Sequence, residues 1–298
     1  IEFIHPNSIP SRSQDDARAA SIKILDLIKK SKRPLILAGS GVRLSGREDE
    51  FISFLDKCGL PAVTGWNAHD LLPNNHPSYS GKPGTVGDRP GNLATRNCDF
   101  LLILGCRMNI RQVSYNWNSL APNAVKVMVD IDEAELNKPT LNLDHSFRIC
   151  LKDFFDCIKI EMCDFTPQQS HIEFLETCRE IEKKYPVVQP HHLKQSSNKE
   201  INPYLFFKRF FENCSENEKV VLGNGSACVI GMQVAAIKKG MRVFTNSGCA
   251  SMGYDLPAAI GAAFRDYNST SRTICVTGDG SIMVNIQELA SIYYKNLP

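Results

Sequence analysis

Apolar residues recur along the chain in two alternating rhythms, short unbroken runs and helical spacings of three and four. Ala17, Ala20, Ile24 and Ile28 lie at helical spacing and predict a helix, which Lys29-Lys30 and then Arg33-Pro34 bring to a stop. Pro34–Ala38 reads as a strand running into Gly39-Ser40-Gly41, and Phe51, Ile52, Phe54 and Leu55 mark another helix. Further strands are expected at 60–64, at Phe100–Leu104 ending on Gly105, and at 125–131 ending on Asp130-Ile131-Asp132. A second series begins at Pro203. It predicts a helix at 203–211, a strand at Lys219–Leu222, a helix after Gly225, and a strand at Arg242–Thr245. A helix at 256–264, a strand at 272–277 and one helix over 284–296 complete it. Strands alternating with helices call for parallel sheets covered on both faces, so the expected class is α/β with two doubly wound domains.

The division expected from this pattern is a linker over 1–14, a first domain over 15–155, a linker over 156–200 and a second domain over 201–298. The stretch from 156 loosens into charged residues, with Pro186, Pro190 and a polar segment at 195–199, which is why it reads as a connection. A length of 298 residues suits about two domains. Composition changes the picture little. No apolar run approaches the ~18 residues of a membrane span, and a net charge of +2 with interspersed signs gives no field for nucleic acid or an anionic membrane. Eleven cysteines without a C-x-x-C pair read as small buried hydrophobes in a reducing cytoplasm. The chain begins without Met and without a secretory signal, which suggests a fragment.

The densest chemistry lies in Thr273-Ile274-Cys275-Val276-Thr277-Gly278-Asp279-Gly280-Ser281, a strand running into Gly-Asp-Gly-Ser before a helix. Ligands of open α/β sheets bind beyond the carboxyl ends of strands, where loop amides converge. Gly278 and Gly280 let backbone approach an anion, Ser281 adds a hydroxyl, and Asp279 offers a hard oxygen for Mg²⁺. No Lys follows, which excludes a P-loop. On these residues alone, an Asp-Gly turn and a phosphate site both stay open. Upstream, the run from Asn246 to Ala263 is a glycine-bearing turn opening a helix of small residues, fit either for tight packing or for a ligand.

Taken together, S-G-x-x-x-M-G-x-x-L-P-A-A-I-G-A, then G-D-G-S, then Asn285-Ile286-Gln287-Glu288-Leu289-Ala290 and Asn296-Leu297-Pro298 resemble the thiamine diphosphate domain of acetohydroxyacid (acetolactate) synthases. The resemblance implies that Asp279 binds the Mg²⁺ anchoring the diphosphate and that Gly278, Gly280 and Ser281 lie along it. It implies that Met252 wedges thiamine into its bent form, with the backbone near Ala250 facing the aminopyrimidine. Gly223-Asn224-Gly225-Ser226-Ala227 falls where the family has a second diphosphate loop, so Gly225 and Ser226 join the site; Ser226 and Ala227 stand in place of the family's Gln-His pair.

The first domain resembles the central, FAD/NAD-binding-like domain of the same enzymes. Lys32-Arg33-Pro34, Gly39-Ser40-Gly41, Gly81-Lys82-Pro83-Gly84-Thr85-Val86, Gly105-Cys106-Arg107 and Asp130-Ile131-Asp132 occur in family order. This implies FAD as a further cofactor beside Gly39, Gly84, Gly105, Arg107, Arg111 and Asp130, while relatives that keep the fold without a flavin leave FAD an open alternative. Lys82-Pro83 replaces a Met-His pair, and the loop after the second strand reads Thr64-Gly65-Trp66-Asn67-Ala68-His69.

The activity implied is decarboxylation of a pyruvate-like 2-oxo acid with ligation to a second carbonyl, in a homodimer or tetramer whose subunits share the active site. The activating glutamate and the Asn end of the metal motif are expected outside this chain, so no catalytic acid or base is assigned; Asp255 and Glu288 read as packing or capping residues. Departures at Lys82-Pro83 and Trp66-Asn67 keep a second expectation alive, a related decarboxylase or a transferase using another acceptor such as a keto sugar. A non-catalytic nucleotide-binding or regulatory module is the reading from another class. The seven histidines show no metal-ligand spacing, His191-His192 reads as solvated, and Trp66 and Trp117 read as core or interface residues.

Overall fold

The computed structural model describes residues 14–194, 200–265 and 271–297. The linker expected before residue 14, the polar stretch 195–199 and Pro298 lie outside the described residues. Helix α1 (Gln14–Lys30) buries Ala17, Ala20, Ile24 and Ile28, and carries Asp15 and Asp16 in its first turn and Lys29 and Lys30 in its last, charges that oppose the helix dipole. The chain continues through β1 (Pro34–Ala38), α2 (Gly41–Leu44), α3 (Glu48–Cys58), β2 (Ala62–Thr64), a 3₁₀ turn at Trp66–Leu71, α4 (Arg89–Asn97) and β3 (Phe100–Leu104). Then come α5 (Ile110–Val113), a 3₁₀ turn at Trp117–Ser119, β4 (Val125–Asp130), α6 (Glu133–Leu136), β5 (His145–Arg148), α7 (Leu151–Glu161) and α8 (Gln169–Lys184). The five strands form one parallel sheet in the order β2-β1-β3-β4-β5.

Both faces of this sheet are covered, as its continuous apolar strands demand. On one face α1, α3 and α7 bury Phe51, Phe54, Phe154 and Phe155, whose rings meet edge to face. On the other, Ala94 of α4 and Phe174 and Cys178 of α8 pack over Leu35, Leu101 and Ile103.

The interval expected as a linker therefore departs from expectation. Its charged residues belong to the outer sides of α7 and α8, while Cys157, Ile158, Phe174 and Cys178 are core. His171 is also buried, with Nε2 at 3.0 Å from the Ser31 carbonyl. His192 stacks on Tyr204 at 4.2 Å, in a 3₁₀ turn at Pro190–Leu193, rather than standing free in solvent.

The second unit runs α9 (Pro203–Asn213), β6 (Lys219–Leu222), α10 (Ser226–Val234), β7 (Arg242–Thr245), α11 (Asp255–Arg265), β8 (Thr273–Val276), α12 (Asp279–Val284) and α13 (Glu288–Lys295). Its sheet is parallel, in the order β7-β6-β8. The helix expected over 284–296 starts at Glu288, as α13, and a separate helix α12 ends at Val284 ahead of it, where Asn285 leaves the helical path and donates to the Gly253 carbonyl at 2.6 Å.

The two units are joined by buried contacts. Trp66 sits in the second unit's core among Phe207, Val220 and Val243. Asp70, 8 % exposed, accepts from Arg242 Nε at 2.7 Å and from the Val243 amide at 3.2 Å. Trp66 is thus the interface residue expected, whereas Trp117 is exposed.

Candidate functional site

In each sheet the second strand pairs on one side of the first and the third strand on the other. Loops leaving the first and third strands then diverge to opposite faces and leave a crevice at their carboxyl ends. In the second unit these are the loops after β6 and β8. Leu222 and Val276 end level, and the Gly223 amide donates to the Val276 carbonyl at 2.8 Å.

The crevice is a cavity of about 650 Å³ lined by Gly225 and Ser226 from one loop and Gly278, Asp279, Gly280 and Ser281 from the other, with Met252 beside them. Seven of the eight residues expected around thiamine diphosphate therefore share one cavity. The eighth, Ala250, does not line it but is hydrogen-bonded to a residue that does, its carbonyl accepting from Asn224 Nδ2 at 2.9 Å. Apolar wall comes from Ile201, Pro203, Phe206 and Phe207 at the start of the second unit.

The glycines divide into two kinds. A Cβ built on Gly225 or Gly278 meets nothing within 4 Å, and one on Gly280 meets only Met252 Sδ at 4.0 Å, so these three leave open room for a group pressed against the backbone. At Gly223 a Cβ would lie 2.2 Å from Asp255 Oδ2, and at Gly253 it would lie 2.7 Å from Val284 Cγ1. Those two are needed for packing of the protein on itself. Gly225 also has φ +63°, and Ala250 holds φ +52°, a left-handed conformation that costs an alanine energy and is found where a loop is held by its neighbours.

Three loops are stitched together around the cavity. Ser281 Oγ accepts from the Gly253 amide at 2.8 Å, which leaves its hydrogen free to donate; Asn224 holds Ala250; and Asn285 holds Gly253. Asp279 is exposed and accepts from the Gly280 amide at 2.8 Å through Oδ1, leaving Oδ2 for a cation. Among the described residues no group of three His, Cys, Asp or Glu side chains gathers around a metal position, and Asp279 is the one carboxylate among them that lines this cavity. The room beside Gly225 and Gly278 and the hard oxygen of Asp279 fit a diphosphate with Mg²⁺.

Asn224 is the contributor that sequence reasoning missed. Asn224 lay within the quoted glycine run, but its partner is 26 residues away. Asp255, expected as a packing or capping residue, is fully buried; Oδ1 accepts from the Leu256 amide at 3.1 Å and Oδ2 has no partner among the described residues. Glu288 accepts from Ser291 within its own helix.

The first unit carries the corresponding crevice between β1 and β3. A cavity of about 370 Å³ is lined by Gly39, Arg107 and Arg111 together with Asn67, Ser247 and Gly248, so the second unit supplies part of its wall. An adjoining cavity of about 490 Å³ is lined by Gly105, Arg107 and Asp130. Here the glycines serve backbone against backbone, since a Cβ on Gly39 would lie 2.2 Å from the Gly105 carbonyl. Gly84 lines neither cavity; it packs behind the wall, where a Cβ would meet the Arg111 carbonyl at 2.7 Å. Arg107 is turned to Glu135 at 2.9 Å. Burial raises the Asp130 carboxyl above its ordinary range and pushes the Cys106 thiol up to about 12, so Cys106 is no nucleophile. Buried His69 is held well below its usual range by desolvation and is a neutral imidazole.

All eleven cysteines are free, and most are buried. No helix among the described residues is long and apolar enough to cross a membrane.

Residues 22–147 match the thiamine pyrophosphate enzyme central domain, and 223–298 match the thiamine pyrophosphate enzyme C-terminal TPP binding domain. The chain is 28% identical over 290 residues to the probable acetolactate synthase large subunit of Methanococcus aeolicus, covering 93% of this chain and 47% of that protein. It is 28% identical over 296 residues to the acetolactate synthase large subunit of Buchnera aphidicola subsp. Acyrthosiphon pisum, covering 98% and 50%. Against the acetolactate synthase isozyme 1 large subunit of Escherichia coli K12, identity is 28% over 283 residues, covering 95% and 47%. The chain spans about half the length of the curated relatives it matches.

Proposed function

We propose, from the premise that the chain belongs to the thiamine pyrophosphate enzymes, that it forms part of an acetolactate synthase-like transferase, decarboxylating a pyruvate-like 2-oxo acid and joining the remaining acyl unit to a second carbonyl. The observation that carries this reading is the convergence of Gly225, Ser226, Met252, Gly278, Asp279, Gly280 and Ser281 on one cavity at the strand switch point. When bound, thiamine diphosphate (thiamine pyrophosphate) supplies a nucleophilic carbon and accepts the electron pair released as CO₂ leaves.

The chain's own residues bind and orient. Asp279 would hold Mg²⁺ through the carboxylate oxygen that Gly280 leaves free, the open backbone at Gly225 and Gly278 would admit the diphosphate, and Ser281, whose Oγ accepts from the Gly253 amide, would donate its hydrogen to it. Met252, with 62% of its surface exposed to the cavity side and solvent, is the apolar support for the thiamine rings. Orientation of this kind acts by proximity. Asp279 is the one acidic side chain lining the cavity among the described residues. Proton-handling groups are accordingly assigned to a partner subunit, in a homodimer or tetramer with a shared site. Exposed Met283, Val284, Ile286, Leu289, Tyr293 and Tyr294 on α12, α13 and the turn between them accord with cover by another part of such an assembly.

FAD is proposed for the first unit's paired cavities, with Arg107 and Arg111 the groups suited to its diphosphate. A cytoplasmic setting accords with eleven free cysteines. A second reading, transfer to a different acceptor such as a keto sugar, rests on the sequence departures at Lys82-Pro83 and Trp66-Asn67. Product analysis of the full-length protein with pyruvate, alone and with an added acceptor, tests the assignment. Acetolactate is expected; acetaldehyde without acetolactate would sink the synthase reading.

A further inference from the structure

Lys82 is 1 % exposed, an unusual burial for an ammonium group. It crosses from the first unit into the second, and Nζ donates to the carbonyls of Met232 at 3.2 Å and Ala235 at 2.5 Å. These belong to the C-terminal end of α10, where helix carbonyls lack partners and the dipole is negative. The contact is answered from the helix: Gln233 Nε2 donates to the Val86 carbonyl at 2.8 Å. The loop around Lys82 is itself pinned. The Lys82 amide donates to both Asp88 carboxylate oxygens at 3.0 Å, Gln112 Nε2 donates to the Pro83 carbonyl at 2.9 Å, and the Thr85 amide donates to the Arg111 carbonyl at 2.7 Å. The other end of α10 is Gly225 and Ser226, on the cavity between β6 and β8. With nine residues, α10 is a rigid rod about 13 Å long, so what fixes one end aims the other.

We propose that Lys82 is a positioning residue for the diphosphate loop, gripping the C-terminal carbonyls of α10 so that Gly225 and Ser226 are held on the cavity. This rests on the thiamine diphosphate reading of that cavity. It also ties the loop to the first unit, because the segment that carries Lys82 buttresses the Arg111 wall of the first unit's cavity.

At neutral pH the gripping group is an ammonium. The groups facing Lys82 are the carboxylates of Asp88 on the N-terminal side of α4 and Glu182 on α8, which favour the ammonium, and the neutral His69 imidazole of the 3₁₀ turn; the Tyr79 phenol faces the same two carboxylates. Burial outweighs the carboxylates and pushes Lys82 down to about 8. Below that pH the group is an ammonium with three donors; above it, an amine with fewer and weaker ones. Any opening that frees Lys82 into water restores its ordinary range, so local opening and general unfolding alike are coupled to proton uptake and become harder as pH rises from about 8 toward the ordinary lysine range. The grip is therefore tested at one pH, by substitution.

The test uses the full-length protein at about pH 7 and follows amide exchange at 225–231 without cofactor, together with the affinity for thiamine diphosphate with Mg²⁺. In Lys82→Met, which removes the two bonds to the end of α10, protection of these amides and cofactor affinity are each expected to fall about tenfold, while amides of β1 and β3 hold steady and report an intact fold. Gln233→Ala removes the reciprocal bond from α10 to the Val86 carbonyl and should lower the same protection by a smaller factor, which keeps the test open if Lys82→Met does not fold. Unchanged protection at 225–231 in either folded variant, or loss spread equally over β1 and β3, overturns the grip. Loss of protection in a protein that binds no thiamine diphosphate overturns the proposal at its premise, the cofactor, instead.

Discussion

Gly223 and Gly278 lie just past the ends of neighbouring strands, yet a methyl group would meet different surroundings at each. Gly223→Ala would place Cβ against Asp255 Oδ2, a buried carboxylate with nowhere to move, and should destabilise the fold by about 1–3 kcal/mol in urea denaturation. Gly278→Ala meets nothing within 4 Å and has φ −88°, so stability should stay within about 0.5 kcal/mol while thiamine diphosphate affinity falls about tenfold or more. Reversal of that pattern would mean that the two glycines have been assigned the wrong roles. At this scale, the residues legible in the sequence were those carrying a contiguous motif: Asp279 with its flanking glycines, and Met252 ahead of Gly253. Asn224 and Asp255 were not legible as partners of Ala250 and Gly223, because each acts on a segment that only the folded sheet brings near.

Strands β1, β3, β6 and β7 coincide with the runs that predict them; β1, β3 and β6 are covered on both faces and have little polar side to break the run. Elements with a mixed surface were harder to see. Helix α4 contains Pro90 and Gly91 and rests on the Asp88 cap, whose carboxylate accepts from the Gly91 amide at 2.7 Å; neither residue signals a helix from propensity alone. Strand β5 is a half-exposed sheet edge, and α8 hides Phe174 and Cys178 behind a charged outer side. If α8 is a core helix and not a connector, Phe174→Ala should cost about 3 kcal/mol or more, read from chemical denaturation; an effect near zero would return the segment to linker status. The break between α12 and α13 carries a second expectation. Asn285→Ala removes the donor to the Gly253 carbonyl and should cost about 1–2 kcal/mol, with increased exchange at the Gly253 amide that Ser281 accepts.

The molecule as a whole is two sheets of the same handed pattern, each with a crevice at its switch point, joined by side chains that neither half could bury alone. Asp70 is central to that join, facing Arg43 at 3.3 Å and Arg242 at 2.7 Å across the two units. Asp70→Ala should cost about 3 kcal/mol, at the low end for a buried pair because Arg242 keeps a third of its side chain exposed, and should split thermal unfolding into two transitions. A single unshifted transition would argue against a join of this kind. The strand-helix alternation announced two doubly wound units, and Trp66 and Lys82 stood out in line, but that they and Asp70 make the contact between the units shows only in three dimensions. The most direct measurement is calorimetric titration of the full-length protein with thiamine diphosphate, with and without Mg²⁺, on the wild type and on Asp279→Ala. Saturable binding to one site per chain is expected, requiring Mg²⁺ and weakened at least about tenfold by the substitution. Binding that is absent, or indifferent to both Mg²⁺ and Asp279, would contradict the assignment of the cavity between β6 and β8.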